Sequence, residues 1–169
     1  MRHHTKDLLL AAGYGWLCGM RSMAGPATAG RKLLRNPVMA NILATGAAGE
    51  MLVDKHPATP NRNAPMALAG RVMMGAATGA AIVVSGAGWR RGTHMRSRKL
   101  TNHLSDGELI ESAAVGAVIG GAVAFISTHV SYHMRKSVAE KTKAPNVVLG
   151  AAEDAIVYGT AIAMADAID

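Results

Sequence analysis

PMALAGRVMMGAATGAAIVVSGAGW, residues 65–89, is the stretch that decides the fold class. After Arg71 it runs for 18 residues, Val72 to Trp89, without an ionisable side chain. A helix needs about 20 predominantly apolar residues to cross the hydrocarbon core of a bilayer. The stretch opens on Pro65, a residue suited to the first turn because its missing N–H would have had no partner there. Its apolar content is Ala, Val, Met and Ile, with Gly75 and Gly79 four apart on one face. Small residues that let helix backbones approach closely are what packing in lipid favours, because hydrophobicity gives helices no reason to associate there.

Four more segments of this kind flank it: residues 8–30, 37–53, 109–130 and 145–168. With residues 65–89 they predict an all-α integral membrane bundle of about five helices, one membrane domain over residues 1–169. Asn36-Pro37, Ala64-Pro65 and Ala144-Pro145 mark helix starts, and Ser105-Asp106-Gly107-Glu108 supplies a cap and acidic residues to the fourth segment. Period-two alternation is sustained nowhere, so no sheet is expected. Gly15/Gly19, Gly75/Gly79 and Gly116/Gly120 are Gly-x-x-x-Gly pairs, read as faces for close helix contact within a bundle or between protomers of a homo-oligomer.

The composition agrees. Half of the 169 residues are hydrophobic but only 4% are aromatic, with a single Phe, whereas a soluble core of this size draws on large side chains. The mean hydropathy of +0.17 is modest because Ala and Gly contribute little and the connections are basic. A soluble Ala-rich helical domain is the alternative. The net charge of +7 alternates with apolar runs and carries no nucleic-acid module, which fits membrane loops and excludes nucleic acid as the expected partner. Arg21 interrupts the first apolar stretch, so residues 1–30 do not read as a cleaved signal peptide. With five crossings, Lys and Arg divide eight to eight between the two sides, Arg21 and Arg71 lying inside spans, and the positive-inside rule gives no orientation. The first segment, broken near Arg21–Pro26, is where a re-entrant or half-length element would resolve the tie.

Ionisable residues inside spans are costly and face protein or a cavity. Counted along ideal helices, Glu50 lies about 10 Å from the side where the 54–64 connection sits, Arg71 about 9 Å and Glu153 about 12 Å. One polar layer of Glu50, Arg71 and Glu153 is expected, with Asp154 beside it and Asp54 and Lys55 a turn further out. As structure, such a layer is an ion-pair cluster that fixes helix register. As function, it is a site for an ion, a proton or a small polar solute, and a carboxylate in excess of the cations suits a proton-coupled step. Gly19, Arg21, Ser22, Gly25 and Pro26 form a broken-helix motif of the kind found at transporter substrate sites and also at plain kinks. His129 and His133 share a helix face but lack a third ligand, so no metal is expected; no cofactor fingerprint or catalytic constellation appears, and the chain does not read as an enzyme.

Gly19-Met20-Arg21-Ser22 with Gly25-Pro26-Ala27, Glu50-x-x-x-Asp54-Lys55-x-Pro57 and Ala152-Glu153-Asp154 together resemble a bacterial family of small multi-spanning membrane proteins whose domain has no assigned function. The basic stretch Arg90 to His103 departs from that pattern. The resemblance implies a membrane helical fold in the bacterial inner membrane and no particular activity. Gly46-Ala47-Ala48-Gly49-Glu50 and Gly150-Ala151-Ala152-Glu153 also look alike, as the halves of an inverted repeat do. The reading is a multi-pass channel or transporter for a small ion or polar solute, or a non-conducting structural or partner-binding membrane protein.

Overall fold

The computed structural model describes residues 5–34, 36–53, 64–91, 105–142 and 145–168. Among the described residues there are six helices and no strand: α1 (Thr5–Met20), α2 (Ala24–Leu33), α3 (Pro37–Val53), α4 (Pro65–Arg91), α5 (Asp106–Thr142) and α6 (Asn146–Ala165). The chain is all-α, with one helix more than the sequence reading counted. The stretch 8–30, expected as one broken span, forms two helices joined by residues 21–23.

These two helices fold back on each other. A side-chain carbon placed on Gly25 would lie 2.5 Å from Cys18 Sγ, and one turn further from the bend Thr28 lies beside Tyr14. Glycine is what the tight approach at the bend requires. Pro26 falls in the first turn of α2, where no N–H is missed.

The remaining contacts fix every helix direction. Arg71 reaches the Gly19 carbonyl while Gly86, fifteen residues on, lies against Asp7, so α4 runs opposite to α1. Gly15 meets Gly120 and Gly19 meets Ala124, so α5 runs along α1. Arg21 pairs with Asp154 and the Tyr14 hydroxyl donates to the Ala161 carbonyl at 2.9 Å, so α6 runs opposite to α1. Gly30 lies against Leu43 and Ser22 against Glu50, so α3 runs opposite to α2. Directions thus alternate through all six helices. The start of α1, the α2–α3 connection, the end of α4 and the end of α6 share one end of the bundle, here the base.

The core is a glycine seam of α1, α4 and α5. A Cβ on Gly75 would sit 2.6 Å from Ala124 Cβ, and one on Gly15 would sit 2.5 Å from the Gly120 carbonyl oxygen. Gly79 and Gly116 approach each other backbone to backbone. All three Gly-x-x-x-Gly pairs therefore pack inside the single chain, the first of the two roles read from their spacing. Close approach gives dispersion contact over the helix length and shortens the path for interhelical hydrogen bonds.

Helix starts follow local chemistry. Asn36 Oδ1 accepts the Val38 amide at 2.9 Å ahead of α3. Glu108 Oε2 accepts the Ser105 amide at 3.1 Å while Ser105 Oγ accepts the Glu108 amide at 3.4 Å, a reciprocal cap on α5. The end of α5 differs from expectation: it continues to Thr142 rather than stopping near Val130. Apolar character fades there, but Arg, Lys, Ala and Glu are strong helix formers and Lys136–Glu140 is a favourable i,i+4 pair.

Among the described residues three helices are long and apolar enough to cross a membrane: Pro65–Ala87, Asp106–Thr142 and Val147–Ala165. The outward surface agrees, with Met66 86%, Leu52 73%, Ile110 69% and Ile156 65% exposed. A face of that character is the mark of contact with lipid or with another protein.

Candidate functional site

The bend at residues 21–23 leaves the last carbonyls of α1 and the first amides of α2 without helical partners. The bundle supplies a partner of opposite charge to each. Arg71 Nη1 donates to the Gly19 carbonyl at 3.0 Å and to the Met20 carbonyl. Thr128 Oγ1 lies 3.0 Å from the Gly19 carbonyl and 2.8 Å from that of Ala124, with one proton to share between them, and Ser127 Oγ donates to the Trp16 carbonyl at 2.6 Å. On the other side of the bend, Glu50 Oε1 accepts the Ser22 amide at 2.9 Å and the Ser22 hydroxyl at 2.7 Å, and Oε2 accepts the Met23 amide at 2.9 Å. A cation thus stands at the negative end of α1 and an anion at the positive end of α2, the arrangement that helix dipoles favour. Arg71 Nη2 and Glu50 Oε1 are 3.9 Å apart, so each also neutralises the other.

Two further ion pairs sit at the same level. Arg21, only 1% exposed, places Nε 2.6 Å from Asp154 Oδ1 and so ties the bend to α6. Arg135 Nη1 lies 3.4 Å from Glu153 Oε2, tying α6 to α5. The expected layer therefore gathers Glu50, Arg71, Glu153 and Asp154, together with Arg21, Ser22 and Gly19 of the broken-helix motif. Arg71 of α4 lies against Glu50, while Glu153 lies against Arg135 of α5. With Arg135 counted, three arginines face three carboxylates among the described residues of the layer. Asp54 and Lys55 lie outside the described residues.

Helix rise gives the depth of the bend. Met20 is about 22 Å along α1 from Thr5, and Arg71 is about 9 Å and Asp154 about 12 Å into their helices from the opposite end. The bend stops short of that end by roughly a quarter of the height of α4.

Below the bend, α3 and α6 flank α2 and enclose with it a cavity of about 440 Å³. Tyr158, Met51 and Ala47 are among the residues around it nearer the bend, and Arg31, Lys32 and Asp166 border it at the base. The Tyr158 hydroxyl is buried and has no hydrogen-bond partner among the described residues.

Sequence reasoning missed Arg135, Ser127, Thr128 and Tyr158. The first was assigned to a connection. The Ser-Thr pair inside an apolar helix was a usable signal, since hydroxyls there seek backbone carbonyls. Among the described residues no group of three or more His, Cys, Asp or Glu is placed to hold a metal ion, and His129 Nδ1 instead lies 2.9 Å from the Phe125 carbonyl of its own helix.

Compared with protein-family models, curated proteins and solved structures, the chain matches none.

Proposed function

We propose that this chain is a multi-pass protein of the bacterial inner membrane that passes a small ion or polar solute, with α1 and α2 as a re-entrant hairpin that enters from the base and turns back within the bilayer. The three long apolar helices α4, α5 and α6 cross, and α3, whose 17 residues are at the short end of the spanning range, crosses with them. The observation that carries the reading is the bend itself: two helix ends lie among three ion pairs, two of them around the buried Arg21 and Arg71 and the third half-buried, about 10 Å inside the far end of the bundle. Non-helical backbone at membrane depth is found where it is buried in protein or lines a solute path, and discontinuous helices build many transporter sites. The cavity under the bend, with the unpartnered Tyr158 hydroxyl beside it, supplies the approach from the base.

A re-entrant hairpin also breaks the orientation tie. It moves Arg2 and Lys6 to the side that holds the α2–α3 and α4–α5 connections; with Arg135 inside the layer, as Arg21 and Arg71 are, the count changes from eight against eight to ten against five. By the positive-inside rule the base faces the cytoplasm. The resemblance to small multi-spanning bacterial membrane proteins supports the membrane assignment and carries no orientation.

The test is flux into proteoliposomes, screened with monovalent cations, anions and protons. Glu50→Gln and Asp154→Asn should each reduce flux of the conducted species at least tenfold while the protein still inserts. Unchanged flux in both variants contradicts the proposal. A second reading, a non-conducting structural or partner-binding protein, is favoured by one observation: the three arginines and three carboxylates are matched pair by pair. It predicts no flux above empty vesicles for any probe and a consistent partner on co-purification.

A further inference from the structure

We propose that the cavity between α2, α3 and α6 is a site for an anionic phospholipid, with an acyl chain along its alanine wall and the phosphate at Arg31 and Lys32. The inference rests on the membrane reading above and adds a ligand to it.

The volume, about 440 Å³, falls in the range of ligand pockets, which are mostly apolar with a few placed polar groups. The walls are of that kind. Ala44, Ala47 and Ala48 of α3 face Ile162 and Ala165 of α6 across the small residues of α2. Alanine side chains leave a smooth slot that suits a flexible hydrocarbon chain, and the slot is open sideways: Ala48 is exposed and Ile162 is 61% exposed. In a bilayer the material at that opening is lipid.

The mouth decides which lipid. Arg31 and Lys32 are consecutive at the end of α2, both exposed and both on the cavity border. The one acid there, Asp166, lies 3.3 Å from Lys32 with its own side chain 81% exposed, a solvated pair that gives way to a stronger anion. Arg31 and Lys32 outnumber it, so the mouth carries net positive charge. The two cations sit at the base, where α2 ends and α6 ends, and therefore at the depth of headgroups, while the apolar wall runs inward from them. Charge and depth match a phospholipid with a negative headgroup on the cytoplasmic side, where basic pockets between helices take anionic lipid heads. A zwitterionic lipid would fill the slot equally but would gain less at the mouth.

The experiment is native mass spectrometry of the full chain, extracted from its membranes, delipidated and titrated with palmitoyl-oleoyl phosphatidylglycerol or palmitoyl-oleoyl phosphatidylcholine. The protein as it stands should bind phosphatidylglycerol at least about tenfold more tightly, an effect of the size that two basic side chains near an anionic headgroup supply. Arg31→Gln with Lys32→Gln should bring the two lipids to within about twofold of each other. Ala48→Phe, at an exposed wall position that the fold tolerates, should weaken both lipids alike. Equal affinity for the two lipids in the unaltered protein overturns the proposal, as does undiminished phosphatidylglycerol binding in both variants. A carbonate wash of the same membranes separates the two levels of the account. Retention in the pellet with equal lipid affinities overturns the lipid site alone, whereas release into the supernatant overturns the membrane reading and the lipid site with it.

Discussion

Replacing Arg71 by Met keeps the unbranched apolar stem of the side chain while removing the guanidinium with its charge and donors. Arg71 is 4% exposed, so water does not take over what is lost. Two consequences follow from its contacts. The Met20 carbonyl loses its Arg71 donor, whereas Gly19 keeps the Thr128 hydroxyl that it shares with Ala124; an unsatisfied buried polar group costs about 1–3 kcal/mol. The Glu50 carboxylate keeps its three hydrogen bonds but loses the cation 3.9 Å away. Removing one partner of a buried pair costs about 3–5 kcal/mol at most sites, and the length of this pair places it at the low end. The two effects share one side chain and do not simply add, so about 3 kcal/mol is expected for Arg71→Met. Glu50→Gln retains an acceptor but turns an amide donor toward the bend, at a cost of about 1–2 kcal/mol. The double variant removes the uncompensated charge and should be less destabilised than the sum by about 1 kcal/mol. Equilibrium unfolding in mixed detergent–lipid micelles, followed by helical circular dichroism, reads all three, since about 1.4 kcal/mol is tenfold in the folded-to-unfolded ratio. A cost below about 1 kcal/mol for Arg71→Met, or strict additivity in the double variant, refutes the capping argument.

Other expectations use the same unfolding measurement. Gly120→Leu drives a side chain into the Gly75 carbonyl at the seam of α1, α4 and α5 and should prevent folding, whereas Gly159→Leu, with nothing near its Cβ position, should be tolerated within about 1 kcal/mol. Asp154→Asn strips the partner from Arg21 and should cost about 3 kcal/mol or more, while Arg135→Gln, at a side chain 25% exposed, should cost less than half of that. Equal costs at the two sites would mean that burial does not set the strength of these pairs.

Much of the architecture is legible in the sequence because lipid imposes a simple demand: long apolar helices built of small residues. Pro37 and Pro65 start their helices where the sequence places them, and Ser105 with Glu108 caps the next. The polar layer is legible because charges in apolar segments must find one another, and helix rise alone puts Glu50, Arg71 and Glu153 at one level. What hydropathy does not encode is direction. A 23-residue apolar stretch reads the same whether it crosses or turns back, and Arg21, Ser22 and Met23 are not residues that announce a turn. The turn is specified by partners distant in sequence, Arg71 and Glu50, which satisfy the backbone groups it frees. Glycine faces pose the same problem: spacing marks a face for close contact but not whether the partner is in the same chain. Arg135 was lost for another reason, since falling hydropathy ended the expected helix at Val130 while helix propensity carried α5 on for another three turns.

The most direct test of the account is sided cysteine labelling in intact inner-membrane vesicles, with the buried Cys18 replaced by Ala and single cysteines placed at Thr5, Asn36 and Ala64. A hairpin that turns back within the bilayer predicts that Thr5→Cys and Asn36→Cys react with a membrane-impermeant maleimide from the same, cytoplasmic side, and that Ala64→Cys reacts from the other. Labelling of positions 5 and 36 from opposite sides would show that residues 5–33 cross, and would contradict it.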